Sequence, residues 1–322
     1  MRRLTVEHKT LYRYSEPVSF GQHRLMLRPR DSHELRLHEA RLTLSPSGVV
    51  RYIYDVFGNS IALVDFHAPA SELLIESVLD LDSYATPDLQ ALLDPAAATY
   101  PFVYSSEDRF EASQMFTRHQ QDEGEVKAWV ANFIAPGETM GTLELLHRIN
   151  SAIKDAFSYN ARFELGTQTP ARTLALKSGT CRDFAQLFIE AVRELGFPGR
   201  FVTGYLYTPH LDVARDAAGD FRGAGATHAW AEVYLPGAGW IAFDPTNALV
   251  GTDHLVRVAV VRDPRQASPV VGTFSGSPTA FLGMDVEVFV STRAPAPPLV
   301  PAEPACQDPP VPQTAKVEKA PA

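Results

Sequence analysis

The 322-residue sequence predicts an α+β protein in which a small antiparallel β-sandwich precedes a mixed core. Three observations carry this. Short strand patterns separated by turn signals fill residues 1–95. A block of helical periodicity comes next, and a run of strand patterns follows it. Helices segregated from strands in this way argue against a doubly wound sheet.

In chain order, Leu4-Thr5-Val6-Glu7-His8-Lys9-Thr10-Leu11-Tyr12 partly alternates, and Leu35-Arg36-Leu37-His38 and Arg41-Leu42-Thr43-Leu44 continue the pattern. Ser45-Pro46-Ser47-Gly48 and Phe57-Gly58-Asn59 mark turns. Ser60 to Phe66 and Leu73 to Val78 supply further strands. After Pro87 the character changes: Gly124 to Ile134 and Thr142 to Phe157 have helical spacing. Phe184, Leu187, Phe188, Ala191, Val192 and Leu195 form a clearer 3-4 pattern, stopped by Gly196 and Pro198. Strands are then predicted over Arg200 to Tyr207, His228 to Leu235, Trp240 to Phe243, Leu255 to Val261 and Asp285 to Val290. From Ala294 to Ala322, nine of 29 residues are proline, a composition that suits an extended, disordered tail. The expected partition is therefore 1–95 sandwich, 96–292 core and 293–322 tail.

Composition narrows the function. Apolar residues at 45% and charged residues at 21% suffice for a sizeable core. The net charge of −9 is opposite to the basic surface that nucleic acid requires. The uncharged-rich stretch Gln266 to Met284 is broken by Pro, Gly and Ser, so no membrane partner is expected. Two cysteines make no disulfide framework and suit a reducing compartment, and Met1-Arg2-Arg3-Leu4 places charges where an export signal needs apolar residues. These features predict a cytoplasmic location.

Three segments are chemically distinctive. Lys177-Ser178-Gly179-Thr180-Cys181-Arg182-Asp183-Phe184 puts a cysteine at the start of the amphipathic helix. There the dipole and unpaired N–H groups favour a thiolate, and Gly179 gives the turn room. Alone, the segment fits a buried core cysteine as well, because free Cys behaves as a small hydrophobe. Thr227-His228-Ala229-Trp230-Ala231-Glu232-Val233-Tyr234 places His228, Trp230, Glu232 and Tyr234 on one strand face. In Gly239-Trp240-Ile241-Ala242-Phe243-Asp244-Pro245-Thr246-Asn247 an aspartate ends an apolar strand, where it could equally cap a turn. Together, in the order Cys, His, Asp, the three provide a nucleophile, a base and an orienting carboxylate, the set that covalent acyl transfer needs.

These segments resemble the bacterial transglutaminase-like proteins of the papain-like thiol enzyme superfamily. The resemblance rests on Gly179 to Ala185, Phe201-Val202-Thr203-Gly204-Tyr205-Leu206, His228 to Pro236 and Gly239 to Asn247. His254 to Ala259 with Arg262-Asp263, and Ser268 to Phe274, are similar to the family as well, and the N-terminal β region resembles the domain that usually precedes its core. The resemblance implies a papain-like transglutaminase core with a helix-borne Cys181, packed on an antiparallel sheet that carries His228 and Asp244. It further implies a thioester intermediate, an oxyanion site using the Cys181 backbone N–H, and pocket or oxyanion candidates in Tyr159, Thr180 and Trp230. The implied partner is a peptide or protein substrate bearing an amide side chain or an isopeptide bond. Hydrolysis by a peptidase or amidase is favoured. Transfer to an amine acceptor, and an inert binding module of the same fold, are the alternatives.

Other chemistries lack their spacing. No second ligand sits near Cys181 or His228 at C-x-x-C or H-x-x-x-H distance, so no metal is expected. Asp212, Asp216 and Asp220 recur every four residues, unlike a calcium loop. Gly223-Ala224-Gly225 lacks a third glycine and a preceding strand, so no dinucleotide cofactor is expected either. Cys306, in the proline-rich tail, is read as an incidental thiol.

Overall fold

The computed structural model describes residues 1–120, 122–160, 166–209 and 225–292. The proline-rich tail with Cys306, the Asp212/Asp216/Asp220 series and Gly223-Ala224 lie outside the described residues.

The N-terminal strands are β1 (Arg2–Phe20), β2 (His23–Arg28), β3 (Leu35–Ser45), β4 (Gly48–Tyr54), β5 (Ser60–Phe66) and β6 (Ala70–Ser83). The helical block contains α1 (Glu125–Val130), α2 (Thr142–Ala156), α3 (Pro170–Leu176) and α4 (Cys181–Glu194). Strands β7 (Gly199–Leu206), β8 (His228–Leu235), β9 (Gly239–Asp244), β10 (Leu249–Val250) and β11 (Leu255–Val261) follow, and β12 (Val270–Val271), β13 (Phe274–Ser275) and β14 (Phe281–Thr292) end the described chain. The expected helix over Gly124 to Ile134 is shorter than its periodicity suggests. Beyond Val130 the backbone tightens into i→i+3 turns, with Asn132 Nδ2 bonding the carbonyls of Ala128 and Trp129.

Long antiparallel pairing builds the sandwich. β1 runs beside β6 from Arg2↔Ser83 to Arg13↔Glu72, and β3 closes that sheet. The facing sheet has the order β12-β2-β5-β4. The sequence reading assigned residues up to 292 to the core. The structure instead returns β14 to β1 (Leu4↔Thr292 through Tyr14↔Phe281), with β13 on β1 and β12 on β2. Both ends of the described chain therefore make the sandwich. Alternation marks a strand but not its partner, and β14 covers an edge of β1 that would otherwise stay unpaired.

The inner face of the β1 sheet divides. Around Tyr14, Val18, Phe20, Leu73 and Ile75 it packs on Leu25, Leu27, Ala62 and Val64 of the second sheet. Around Leu4, Val6, Leu79, Leu81, Val288 and Val290 it joins a larger core shared with the helices and with Tyr205, Val256 and Val258. Polar pins cross the same seam. Arg2 Nη1 donates to Asp253 O at 2.7 Å, Asn59 exchanges two bonds with the Val260 backbone, and His8 Nδ1 meets the Tyr205 hydroxyl at 3.0 Å.

The core sheet has the order β10-β9-β8-β7-β11, and α4 covers one face. Phe184, Leu187, Phe188, Ala191 and Val192 form the helix's apolar side, against Ala229, Ala231 and Val233 of β8, and Phe188 stacks on Phe243 at 5.4 Å. Gly196, at φ +87°, ends the helix where a left-handed residue is needed. α2 buries Leu145, Leu146, Ile149 and Ile153 into the same core. On the opposite sheet face, Trp230 packs with Val202, Leu206, Ala242 and Leu255. Among the described residues no helix is long and apolar enough to cross a membrane.

Candidate active site

The first turn of α4 is fixed before its cysteine is reached. Asp183, fully buried at the third helical position, accepts from Thr180 N at 2.9 Å and from Thr180 Oγ1 at 3.0 Å. Its other oxygen takes Gln168 N at 2.7 Å. These bonds satisfy donors that a helix start leaves open. They also correct one expectation: the Thr180 hydroxyl faces Asp183 and caps the helix, so it is not a pocket donor. Gly179 has room only for hydrogen, since a Cβ there would lie 2.9 Å from Asp183 Cβ and 3.1 Å from Gln168 Nε2. Cys181 thus starts α4 on a rigid turn and is 7% exposed.

Tyr159 approaches from upstream. Ser158-Tyr159 pairs in parallel with Ser178-Gly179, which brings the Tyr159 side chain beside Cys181 at the start of α4. Burial, then the charge of Cys181 and the bond to it, raise the Tyr159 pKa and keep the phenol protonated. Its ring packs edge-on against Phe184 at 6.4 Å.

His228 opens β8 and Asp244 closes β9, its neighbour, paired through Ala231↔Phe243. His228 Nε2 lies 2.9 Å from Asp244 Oδ2, with both side chains fully buried. Asn247 Nδ2 donates to the same oxygen at 2.8 Å, and Thr246 N to Oδ1 at 2.9 Å. Burial pulls the His228 pKa down, but the charge and hydrogen bond of Asp244, with a further contribution from Cys181, outweigh it and carry the imidazole up to about 10. Burial would raise Asp244, and the charge and bond of His228, helped by Asn247 and Thr246, hold it below the usual carboxylate range instead. Both directions describe an ion pair. With Nε2 occupied, the buried Nδ1 has no hydrogen-bond partner among the described residues and is the ring atom free to serve the nearby Cys181 thiol.

Trp230 lies beneath the histidine, ring centroids 6.1 Å apart and planes 29° from parallel. It is wholly buried and serves as the floor under His228. Trp240 sits elsewhere, with the Arg200 guanidinium 4.0 Å above its ring. The approach to His228 is anchored by the sandwich, because Gly225 O accepts from Val288 N of β14 at 3.1 Å. Among the described residues no three His, Cys, Asp or Glu side chains group as a metal site.

The structure brings Cys181, His228, Asp244 and Tyr159 together. Sequence reasoning overlooked two supports. One is Asn247, a side-chain amide three residues past a strand-ending aspartate, where it is placed to turn back on that carboxylate. Asp183 was legible as Thr180-x-x-Asp183, a capping-box spacing.

The fold, with Cys181 at the start of α4 and His228 and Asp244 on the adjoining sheet, defines a papain-like architecture. The chain belongs to the transglutaminase-like superfamily: the family model of its core matches residues 127–245, and that of the bacterial transglutaminase-like N-terminal region matches residues 4–82. An uncharacterized protein of Mycobacterium leprae is 30% identical over 305 residues, covering 89% of this chain and 99% of that protein. One from Mycobacterium tuberculosis is 28% identical over 301 residues, covering 89% and 92%. A crystal structure from Cytophaga hutchinsonii, described as a candidate cysteine protease, shares the fold with a TM-score of 0.66 at 19% identity over 90% of each chain.

Proposed function

We propose that this protein is a cysteine-dependent acyl-transfer enzyme that cleaves amide or isopeptide bonds in a peptide or protein substrate. The observation that carries the reading is the buried His228–Asp244 pair, with Nδ1 of the imidazole left for Cys181. The Cys181 thiolate adds to the carbonyl carbon, and the carbonyl oxygen takes the electron pair as an oxyanion. The Cys181 backbone N–H at the start of α4 stabilises that oxyanion, and the protonated Tyr159 hydroxyl is the second donor we assign. The C–N bond then breaks, and the amine leaves with the proton from His228 Nδ1. This produces the thioester. Water, deprotonated by His228, attacks the thioester, releases the carboxylic acid and restores the thiol. Asp244 keeps Nδ1 as the working nitrogen and stabilises the imidazolium. We assign water as the acceptor, in line with the description of the Cytophaga protein.

Digestion of a peptide library, read by mass spectrometry with and without a primary amine, tests this. Products that gain water and vanish in Cys181→Ala are expected. Products that gain the amine would make the protein a transamidating enzyme, and cleavage retained by Cys181→Ala would overturn the nucleophile.

A further inference from the structure

The sandwich leaves one sheet edge open. β4 ends the order β12-β2-β5-β4, and among the described residues no strand pairs with its outer side. Its hairpin neighbour β3 crosses into the other sheet, where it too is an edge. The two edges differ. β3 carries Arg36, Glu39 and Arg41 and a register shift between Leu37 and Glu39, devices that discourage a further strand. β4 keeps unbroken register with β5 from Gly48↔Phe66 to Tyr54↔Ser60, and it contains no lysine or proline. Val49, Tyr52, Ile53 and Tyr54 are exposed along it, and Val56 just beyond is 93% exposed. Such an edge is a template for another chain.

Arginines surround this edge. The guanidinium groups of Arg28 and Arg30 lie 5.9 Å and 5.0 Å from the ring centroids of Tyr52 and Tyr54. Arg30 donates to Gly58 O at 2.8 Å, and Arg51, in mid-strand, reaches Asp65 only at 3.8 Å. The other nearby acid, Asp55, is engaged by Asn59 and Arg24. Arg28, Tyr52, Ile53, Tyr54 and Ser60 line a depression of about 340 Å³ against the strand. In a chain of net charge −9 this edge is locally positive, which attracts an acidic partner. A second copy fits poorly. Antiparallel pairing of β4 with itself over all seven residues sets Arg51 opposite Arg51, and like charges directly opposite are destabilising.

We propose that β4 is a docking edge for an extended acidic segment of a partner protein, which adds to the sheet as a fifth strand. Backbone hydrogen bonds to β4 hold the segment, and its carboxylates meet Arg28, Arg30 and Arg51. Its apolar side chains lie on Tyr52, Ile53 and Tyr54.

A fluorescein-labelled peptide of alternating glutamate and valine is the probe, titrated into the full chain and followed by anisotropy. It is expected to bind, and a lysine–valine peptide about tenfold more weakly or not at all. Arg28→Glu combined with Arg51→Glu changes two exposed side chains and should weaken binding of the glutamate–valine peptide about tenfold at an unchanged melting temperature. Hydrogen exchange of the amides of residues 48–54 should slow in the complex, as an added strand requires and an adsorbed charge does not. The proposal would be overturned if the double variant bound the peptide as well as the parent, if exchange over 48–54 did not slow, or if no binding occurred up to about 1 mM peptide. Sedimentation showing a dimer that Ile53→Lys abolishes would overturn it too, by making the edge an interface between copies of this chain.

Discussion

His228 Nε2 lies 2.9 Å from Asp244 Oδ2 in a wholly buried pair, and the carboxylate carries the imidazole's pKa up to about 10 against the pull of burial. Asp244→Asn removes that charge while leaving an acceptor for Nε2–H. Burial then dominates, and the imidazolium loses its proton at lower pH. The alkaline limb of the pH–rate profile is expected to move down, with turnover reduced about 10²-fold or more. An unshifted limb with near-normal turnover would show that Asp244 only caps the turn before Pro245.

Asn247 donates to the same carboxylate oxygen and fixes its orientation. Asn247→Ala should lower kcat by about tenfold, the size of one charge-assisted hydrogen bond, with KM little changed. The alkaline limb should move in the same direction as in Asp244→Asn, but less. A rise in KM alone would place Asn247 in substrate binding.

Much of this was legible because the patterns were local. The strands over His228–Leu235 and Leu255–Val261 have the bounds their sequences predict, and α4 follows the 3-4 spacing from Phe184 onward. Pairing between distant segments was not legible. β14 reads simply as the last strand of the core, yet it lies along β1, some 280 residues earlier in the chain. The Tyr159–Cys181 contact depends on the parallel pairing of two-residue strands too short to show a period. Thr180 shows the converse: the family resemblance made it a pocket or oxyanion candidate, whereas its hydroxyl donates to Asp183 within the helix cap.

Gly204 pairs with His228 across β7 and β8, and it leaves no room for a side chain. A Cβ there would fall 2.1 Å from Val256 O and 2.8 Å from Trp230 Cη2. Gly204→Ala must move β11 or tilt the indole that floors His228, at a cost of about 1–3 kcal/mol or more. Chemical denaturation should show that loss, together with altered tryptophan fluorescence. A variant of unchanged stability and turnover would show that the floor adapts freely.

His8 links the sandwich to the core through Tyr205 and bonds Thr10 on its other nitrogen. Burial lowers its pKa to about 4, so the unfolded chain takes up a proton before the folded one does. The stability this group contributes is present above about pH 6.5 and is lost as pH falls toward 4, up to about 3 kcal/mol in all. Urea denaturation between pH 7 and pH 4.5 should show the decline, and His8→Gln should flatten it. An identical pH dependence in the variant would mean that His8 is not the group responsible.

The central claim is that Cys181 is a nucleophile activated by His228. Its most direct measure is the alkylation rate of Cys181 by iodoacetamide at pH 6, in a Cys306→Ser background. The expected rate exceeds that of a model peptide thiol by about tenfold or more, because the adjacent imidazole activates the sulfur as a nucleophile. His228→Ala should bring it back to the model rate without unfolding the protein. A parent rate no faster than the model thiol, and indifferent to His228→Ala, would contradict the claim.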